Sequence, residues 1–423
     1  MRSTTKPCWQ SWMSDDQTPL ARNVLALGLM TLCYGAFQGI CQTIVPLAMD
    51  NQAFTKTTIG LLLAVPGITV IGLGAPLARL ANGRWRRATL TSSFAMAGIA
   101  SVLYSNASQP LEFVAPQLLF GLSSSAFWSN MVASSLRLPK DPHKPHKIQA
   151  IVTSMQGIGA FGGPLAGGYF SDHSFSYGFF AGVLCAAVGL GASRLLSPSV
   201  AIEPSVGLRS FFTGAYAQLF RLITRQRIIT LSMSFVCLNC FLLYVMGGSF
   251  FVLYASQIGL SVFMAAALVS GRDAISAVMR LGFGRISRHV SPIVLLGVGT
   301  VLGALSLGLL PLSTALLGVA LVALAQGVFI AFLPPAVNTL VGTSTAPQEQ
   351  SYAIVGMHSG NFIAQTTMSP LLGLLLYNFN YSIVYPVVGG VWIVLALLIT
   401  RAGLRLARRD RTGASSMTTT AAS

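Results

Sequence analysis

Two adjacent charges, Arg272 and Asp273, sit inside the apolar run LVSGRDAIS. An isolated charge at the centre of a bilayer costs several kcal/mol, so such residues either neutralise each other structurally or serve a function. Asp273 can take up and release a proton, and Arg272 can hold a carboxylate. Further on, His358, Asn361 and Gln365 follow one another at i, i+3 and i+7, which places them on one helical face. An imidazole titrates near neutral pH, which makes His358 a second candidate proton carrier or, equally, a neutral hydrogen-bonded interface residue. Tyr34, Gln38 and Gln42 form another such line at i, i+4 and i+8. Gln117, Asn130, Gln156, Asn239, Gln326 and Asn338 are further amides in apolar surroundings. Amides so placed either join helix to helix or line a wet cavity that receives a solute with several hydrogen-bonding groups.

Other chemistry finds little support. There is no nucleophile–base pair, no metal-ligand set and no phosphate loop of the form GxxxxGK[ST], so neither an enzyme nor an ATP-driven pump is expected. Cys237 and Cys240 form a lone CxxC with no second pair, and His143 and His146 stand among lysines that would repel a cation. No metal and no cofactor are expected.

The elements that position these residues follow from hydropathy. Of 423 residues, 53 % are apolar and 9 % charged, against about 25 % charged in soluble domains. Apolar windows of membrane-spanning length predict an all-α membrane protein with twelve transmembrane helices. The spans are 23–47, 57–80, 87–105, 111–136, 148–171, 176–194, 228–254, 258–281, 291–312, 314–335, 351–377 and 380–402. The net charge of +16 would suggest nucleic acid in a soluble chain. Here, with the N-terminus inside, every lysine and arginine except Lys56 and Arg272 falls on the cytoplasmic side, so the charge reports topology and nucleic acid is not an expected partner. Both termini are therefore expected in the cytoplasm.

Residues 157–172, GIGAFGGPLAGGYFSD, crowd glycine and proline into one span. Gly159, Gly163 and Gly167 recur at helical spacing and let two helix backbones approach closely, while neighbouring helices re-satisfy the bond removed by Pro164. Pro164, Leu165, Gly167, Phe175 and Ser176 are echoed 206 residues later by Pro370, Leu371, Gly373, Tyr381 and Ser382. A repeat of that length predicts two pseudo-symmetric six-helix bundles, 23–194 and 228–402. A tail, 1–22, precedes them, and another, 403–423, follows. Residues 195–227 join them through an amphipathic stretch with Leu208, Phe212, Tyr216, Leu219 and Ile223 on one face, expected to lie in the membrane interface.

The motifs resemble those of the major facilitator superfamily. The family's loop between helices two and three reads GxxxDRxGRR. Gly74, Arg79, Gly83 and Arg84 can be laid on that pattern with two extra residues, and Ala78 falls where the acid belongs. A weaker echo between helices eight and nine takes in Arg280, Gly284 and Arg285, with Arg288 at the acidic position. Gln117 stands four residues before Gly121, where the family often has an arginine tied to proton coupling in exporters. The helix-five pattern GxxxGPxxGG is matched in full by Gly159, Gly163, Pro164, Gly167 and Gly168, and in the family it marks exporters of the antiporter type.

The resemblance implies a secondary transporter of the bacterial inner membrane. Its two bundles would enclose a cavity lined by Tyr34, Gln38, Gln42, Gln117, Asn130, Gln156, Asn239, Arg272, Asn361 and Gln365. Asp273 and His358 would carry protons. The expected partners are a small-molecule substrate, protons and the lipid bilayer, and the expected assembly is a monomer. Export of a drug-like compound or of a secondary metabolite such as a siderophore, by proton antiport, is the first expectation. Import of an organic anion by proton symport, with Arg272 reading the carboxylate, is the alternative, and a receptor that no longer cycles is the rival from another class.

Overall fold

A computed structural model describes residues 18–82, 85–137, 144–196, 208–247, 249–345 and 350–420. The first half contains α1 (Thr18–Asn51), α2 (Lys56–Asn82), α3 (Arg86–Asn106), α4 (Pro110–Arg137), α5 (Lys144–Ser171) and α6 (Phe175–Ser193). The connecting helix α7 (Leu208–Arg225) follows, and the chain turns by 101° between it and α8 (Arg227–Gly247). The second half continues with α9 (Ser249–Gln257), α10 (Val262–Leu281), the single turn α11 (Phe283–Ile286) and α12 (Pro292–Leu309). It closes with α13 (Leu316–Ile330), α14 (Leu333–Ser344), α15 (Gln350–Asn378) and α16 (Tyr381–Thr420). Among the described residues there is no strand.

Among the described residues, eight stretches are long and apolar enough to cross a bilayer: those in α1, α2, α3, α6, α10, α12, α16 and the run Leu316–Val337 across α13 and α14. The 28, 28 and 29 residues of α4, α5 and α15 make helices of roughly 42 Å, longer than the ~30 Å hydrocarbon layer. Local chemistry sets the breaks. Pro334 and Pro335 cannot continue α13, because each ring collides with the carbonyl four residues before it, so α13 stops at Ile330 and α14 restarts with proline in its first turn. Ser261 and Ser291 accept hydrogen bonds from the backbone N–H groups of Met264 and Val294 and cap α10 and α12. The expected tail after 402 is continued helix as far as Thr420.

The packing has two-fold character. α1 lies on α5 as α8 lies on α15, α3 on α6 as α12 on α16, and α2 on α4 as α10 on α13. Among the described residues the two most extensive seams between the halves are α5 with α10 and α2 with α15, and α1 also meets α9. The 206-residue echo falls on equivalent places: Pro164 lies inside α5 and Pro370 inside α15, and Phe175 and Tyr381 open α6 and α16. The fold is all-α, two pseudo-symmetric helical bundles facing each other.

Without water to expel, membrane helices gain from close approach, and glycine permits it. A Cβ on Gly163 would stand 2.6 Å from the Ala36 Cα, and one on Gly159 2.9 Å from the Ala36 nitrogen. Gly167 packs on Ile40 and Ile44. Gly168 instead faces the other half, where a Cβ would overlap Ala266 of α10. On the α2–α15 seam, Gly60 meets Ser369 and Gly373, and Gly67 meets Phe362 and Thr366. These inter-half contacts gather at one end of the molecule, where α5 finishes and α2 and α10 begin. There the Phe263 backbone N–H donates to Asp172 Oδ1 at 3.1 Å, and deeper in the same seam the Ser270 hydroxyl donates to the Phe161 carbonyl at 2.7 Å. Lys56, the one basic residue expected at that end, pairs with Asp50. At the opposite, basic end, α7 lies between the two halves: the Tyr216 hydroxyl meets the Ile71 and Gly72 carbonyls of α2 at 2.9 and 2.8 Å, and Leu219 and Ile223 pack on Gly356 of α15.

Candidate functional site

Between the halves lies a cavity of about 220 Å³. Its walls are α1 and α5 from the first half and α8, α9, α10 and α15 from the second. Gln38, Gln42 and Thr43 reach it from α1, Gln156 from α5, Ser249 from α9, Arg272, Asp273 and Arg280 from α10, and Asn361 from α15. Pro164 also lines it and lacks the N–H that would bond the Ala160 carbonyl one turn earlier, so the same wall holds a carbonyl without its helical donor. The cavity extends to Arg280 in the last turn of α10, whose side chain is exposed, so its mouth lies toward the basic end.

The polar groups fall into two kinds. Gln38 accepts a hydrogen bond from the Trp128 indole at 3.3 Å. The amides of Gln42, Gln156 and Asn361 have no hydrogen-bond partner among the described residues, and all three are partly open to the cavity. Such amides offer donors and acceptors that only water or a solute can satisfy. Arg272 and Asp273 form an ion pair within α10, the Arg272 Nε and Nη2 both donating to Asp273 Oδ1 at 2.9 and 2.6 Å. Adjacent helical residues point about 100° apart, and the long arginine spans that angle by folding back. Its side chain is only 4 % exposed against 24 % for Asp273, and its Nη1 is buried with no partner. Gly327 of α13 makes room for the backbone here, since a Cβ would stand 3.2 Å from the Arg272 Cα. The carboxylate is thus turned toward the cavity and the arginine sits behind it, held by its own neighbour in sequence.

Gln117 and Gln365 lie deeper. With Gln42 and Ser249 they line a void of about 20 Å³, enough for one water. Gln365 also crosses the seam, donating to the Leu63 carbonyl at 3.1 Å. Gln42 and Ser249 belong to both spaces, so the void continues the cavity toward the sealed end.

Several expected cavity residues are packed elsewhere. Tyr34 is fully buried, stacked on Phe127 at 4.0 Å and bonded to the Ser123 hydroxyl at 3.0 Å, within the core of α1, α3 and α4. Asn130 donates to the Ala126 carbonyl at 2.6 Å in its own helix. Asn239 donates to Phe235 and to Thr300 at 3.0 and 2.6 Å, joining α8 to α12, and Gln326 donates to the Leu242 carbonyl at 3.2 Å. Gly74 packs α2 against Ser125 of α4, and Gly284 and Arg285 form part of the turn α11. Gly83, Arg84 and the side chains of Arg79, Asn338 and His358 lie outside the described residues. Thr43, Cys240 and Ser249 were not singled out as cavity residues from the sequence, and Arg280 was assigned to the loop motif. For Arg280 a signal existed: it stands seven residues after Asp273, on the same helical face.

The chain matches the sequence profile of the Major Facilitator Superfamily over residues 27–325. No curated protein matches it significantly. Among solved structures, it superposes on a POT family transporter in complex with a thioalcohol-conjugated peptide with a TM-score of 0.74 at 16 % identity, covering 91 % of this chain and 96 % of the other. It superposes on the nucleoside transporter NupG with a TM-score of 0.72 at 14 % identity, covering 90 % and 99 %. The peptide transporter POT in complex with sulfate gives 0.73 at 14 %, covering 93 % and 99 %. At such identities the structures share the fold alone, and it is the profile match over more than half the sequence, together with this fold, that makes the chain a member of the major facilitator superfamily.

Proposed function

We propose that the protein is a proton-coupled secondary transporter that carries a small polar organic molecule across a bacterial inner membrane by alternating access. The observation that carries this reading is the central cavity itself: it is sealed at one end by inter-half glycine contacts and holds Asp273, paired with Arg272, and three amides that have no hydrogen-bond partner among the described residues. The basic end is cytoplasmic by the positive-inside rule, so the cavity faces the cytoplasm and both termini lie there. Residues 23–194 and 228–402 are the moving bundles, with twelve crossings in all, and the unit is a monomer.

Export by proton antiport is the direction suggested by the helix-five sequence Gly159, Gly163, Pro164, Gly167 and Gly168. The packing of those glycines on α1 and α10 also accounts for the sequence without reference to direction. Import of an organic anion with protons is the second reading, and the Arg272–Asp273 pair favours it. An anion that competes for the guanidinium releases Asp273 to bind a proton, so anion and proton bind together and move in the same direction. The solved relatives bound to a peptide conjugate and to sulfate suit a polar cargo in this fold.

Metabolite profiling of cells and medium, comparing a strain lacking the protein with its parent, tests this. A compound that builds up inside and disappears outside establishes export. Depletion inside, with the compound left in the medium, establishes import. If no metabolite changes on either side, and reconstituted vesicles show binding without counterflow, the transport reading falls and the receptor reading replaces it.

A further inference from the structure

We propose that the transported molecule is a small organic oxyanion, a carboxylate or phosphate-type compound, and that Arg280 is the residue that reads its charge. The inference rests on the transporter reading above. Its basis is a charge imbalance within the cavity wall. Among the described residues, the wall holds two guanidinium groups and one carboxylate. Asp273 spends one oxygen on two donors of Arg272, and among the described residues Arg280 has no ion-pair partner within 4 Å. Among the described residues, the one hydrogen bond of Arg280 runs from its Nη2 to the Ser276 hydroxyl, at 3.2 Å and one turn back along its own helix. Its other N–H donors carry no hydrogen bond among the described residues, and the side chain is exposed while lining the cavity.

An arginine at the basic end of a membrane helix could serve simply as an anchor at the lipid headgroups. Arg280 differs in lining the space between the halves. It lies one turn beyond Ala277, whose Cβ would stand 3.7 Å from a Cβ placed on Gly157 of α5 across the seam, so the amide of Gln156 comes from the facing wall at nearly the same level. Eight residues deeper, about 12 Å along the helix, the partnerless Nη1 of Arg272 is buried beside the same cavity. A solute drawn in at the mouth by Arg280 thus enters a cavity that has a second guanidinium in its wall below, and Gln42, Gln156 and Asn361 on the surrounding walls can satisfy its neutral polar groups. Walls of low dielectric focus this surplus positive charge, which raises the local concentration of anions and excludes lipophilic cations. The sequence suggested Arg272 as the reader of a substrate carboxylate. Its burial and its bond to Asp273 leave the first contact to Arg280.

The test uses the full-length protein in vesicles of phosphatidylcholine alone, where no anionic lipid is present for Arg280 to serve. A metabolite extract of the source cells is split on an anion exchanger into retained and unretained fractions, and mass spectrometry identifies what each vesicle accumulates. The expected result is that the transported compound lies in the retained fraction. Arg280→Gln should raise its KM about tenfold, as expected for loss of one charge-assisted bond, and Arg280→Lys should recover most of that loss. A transported compound found in the unretained fraction overturns the proposal, as does unchanged KM for the anion in Arg280→Gln. The fraction assignment needs only the wild-type protein, so a poorly folded variant does not blunt it. Uptake from neither fraction would overturn the transporter reading, and this inference with it.

Discussion

At Arg272 and Asp273 a contribution to stability can be separated from the proposed contribution to coupling. Replacing Asp273 by Asn leaves a 4 % exposed guanidinium without its counterion, and breaking a buried pair in this way typically costs about 3–5 kcal/mol. Asp273→Asn should therefore both lower the melting temperature and abolish accumulation driven by a pH gradient. The double variant Arg272→Gln/Asp273→Asn should regain most of the thermal stability and none of the coupling. A double variant as unstable as the single would show that the two side chains do not depend on each other, and pH-driven accumulation that persists in Asp273→Asn would remove Asp273 as the proton carrier. The amides divide in the same way. Gln156→Leu should raise the KM for the transported solute roughly tenfold with little loss of stability, because that amide has no hydrogen-bond partner among the described residues. Tyr34→Phe removes one buried bond to Ser123 and should lower stability by about 1 kcal/mol while leaving KM unchanged. Transport kinetics and melting curves of the two variants, taken together, would expose a misassignment of either residue.

At the scale of elements, the seam between α1 and α5 depends on glycine at particular turns. A side chain at Gly163 would run into the backbone of Ala36, which no rotamer change relieves, whereas at Gly162, on the next residue, there is nothing within 4 Å. Gly163→Val is expected to destabilise the protein by more than 2 kcal/mol and to stop transport, and Gly162→Ala to be neutral in both. Equal behaviour of the two variants in a thermal unfolding assay would refute the packing assigned to α5. The same helix shows how a sequence motif acquires its physical meaning. Gly159, Gly163 and Gly167 face α1, while Gly168, one residue on, faces α10 of the other half. The motif therefore joins packing within a bundle to packing between bundles, and the second contact is the one that would have to part in the proposed transport cycle.

At the scale of the molecule, the alternating access proposed for the protein requires that the sealed end open. Asp172 and Phe263 meet across the halves there, on exposed surface. Cysteines placed at both positions, Asp172→Cys with Phe263→Cys, and joined by a short bifunctional thiol reagent should halt transport, and a reductant-cleavable linker should restore it. Transport that continues after crosslinking would mean that this end does not part in the cycle. Much of this architecture was legible in the amino-acid order, because its determinants are local. Apolar runs, prolines and serine caps act within a few residues, and the echo of Pro164 to Ser176 at Pro370 to Ser382 marks the two halves directly. The destination of each polar side chain was a different matter. Tyr34, Gln38 and Gln42 read as one line, yet each step of four residues turns the helix by about 40°. Over two steps the line swings by about 80°, carrying Tyr34 into the core against Phe127 and Gln42 into the cavity. Arg280 stood in a loop motif by its neighbours in sequence and entered the cavity wall because α10 runs on to Leu281. Hydropathy and periodicity determined that this chain is a paired bundle of membrane helices. Which amides meet each other, and which are left for a solute, was decided only by helix rotation and by the distance between the two halves, and these arise from contacts between residues far apart in sequence.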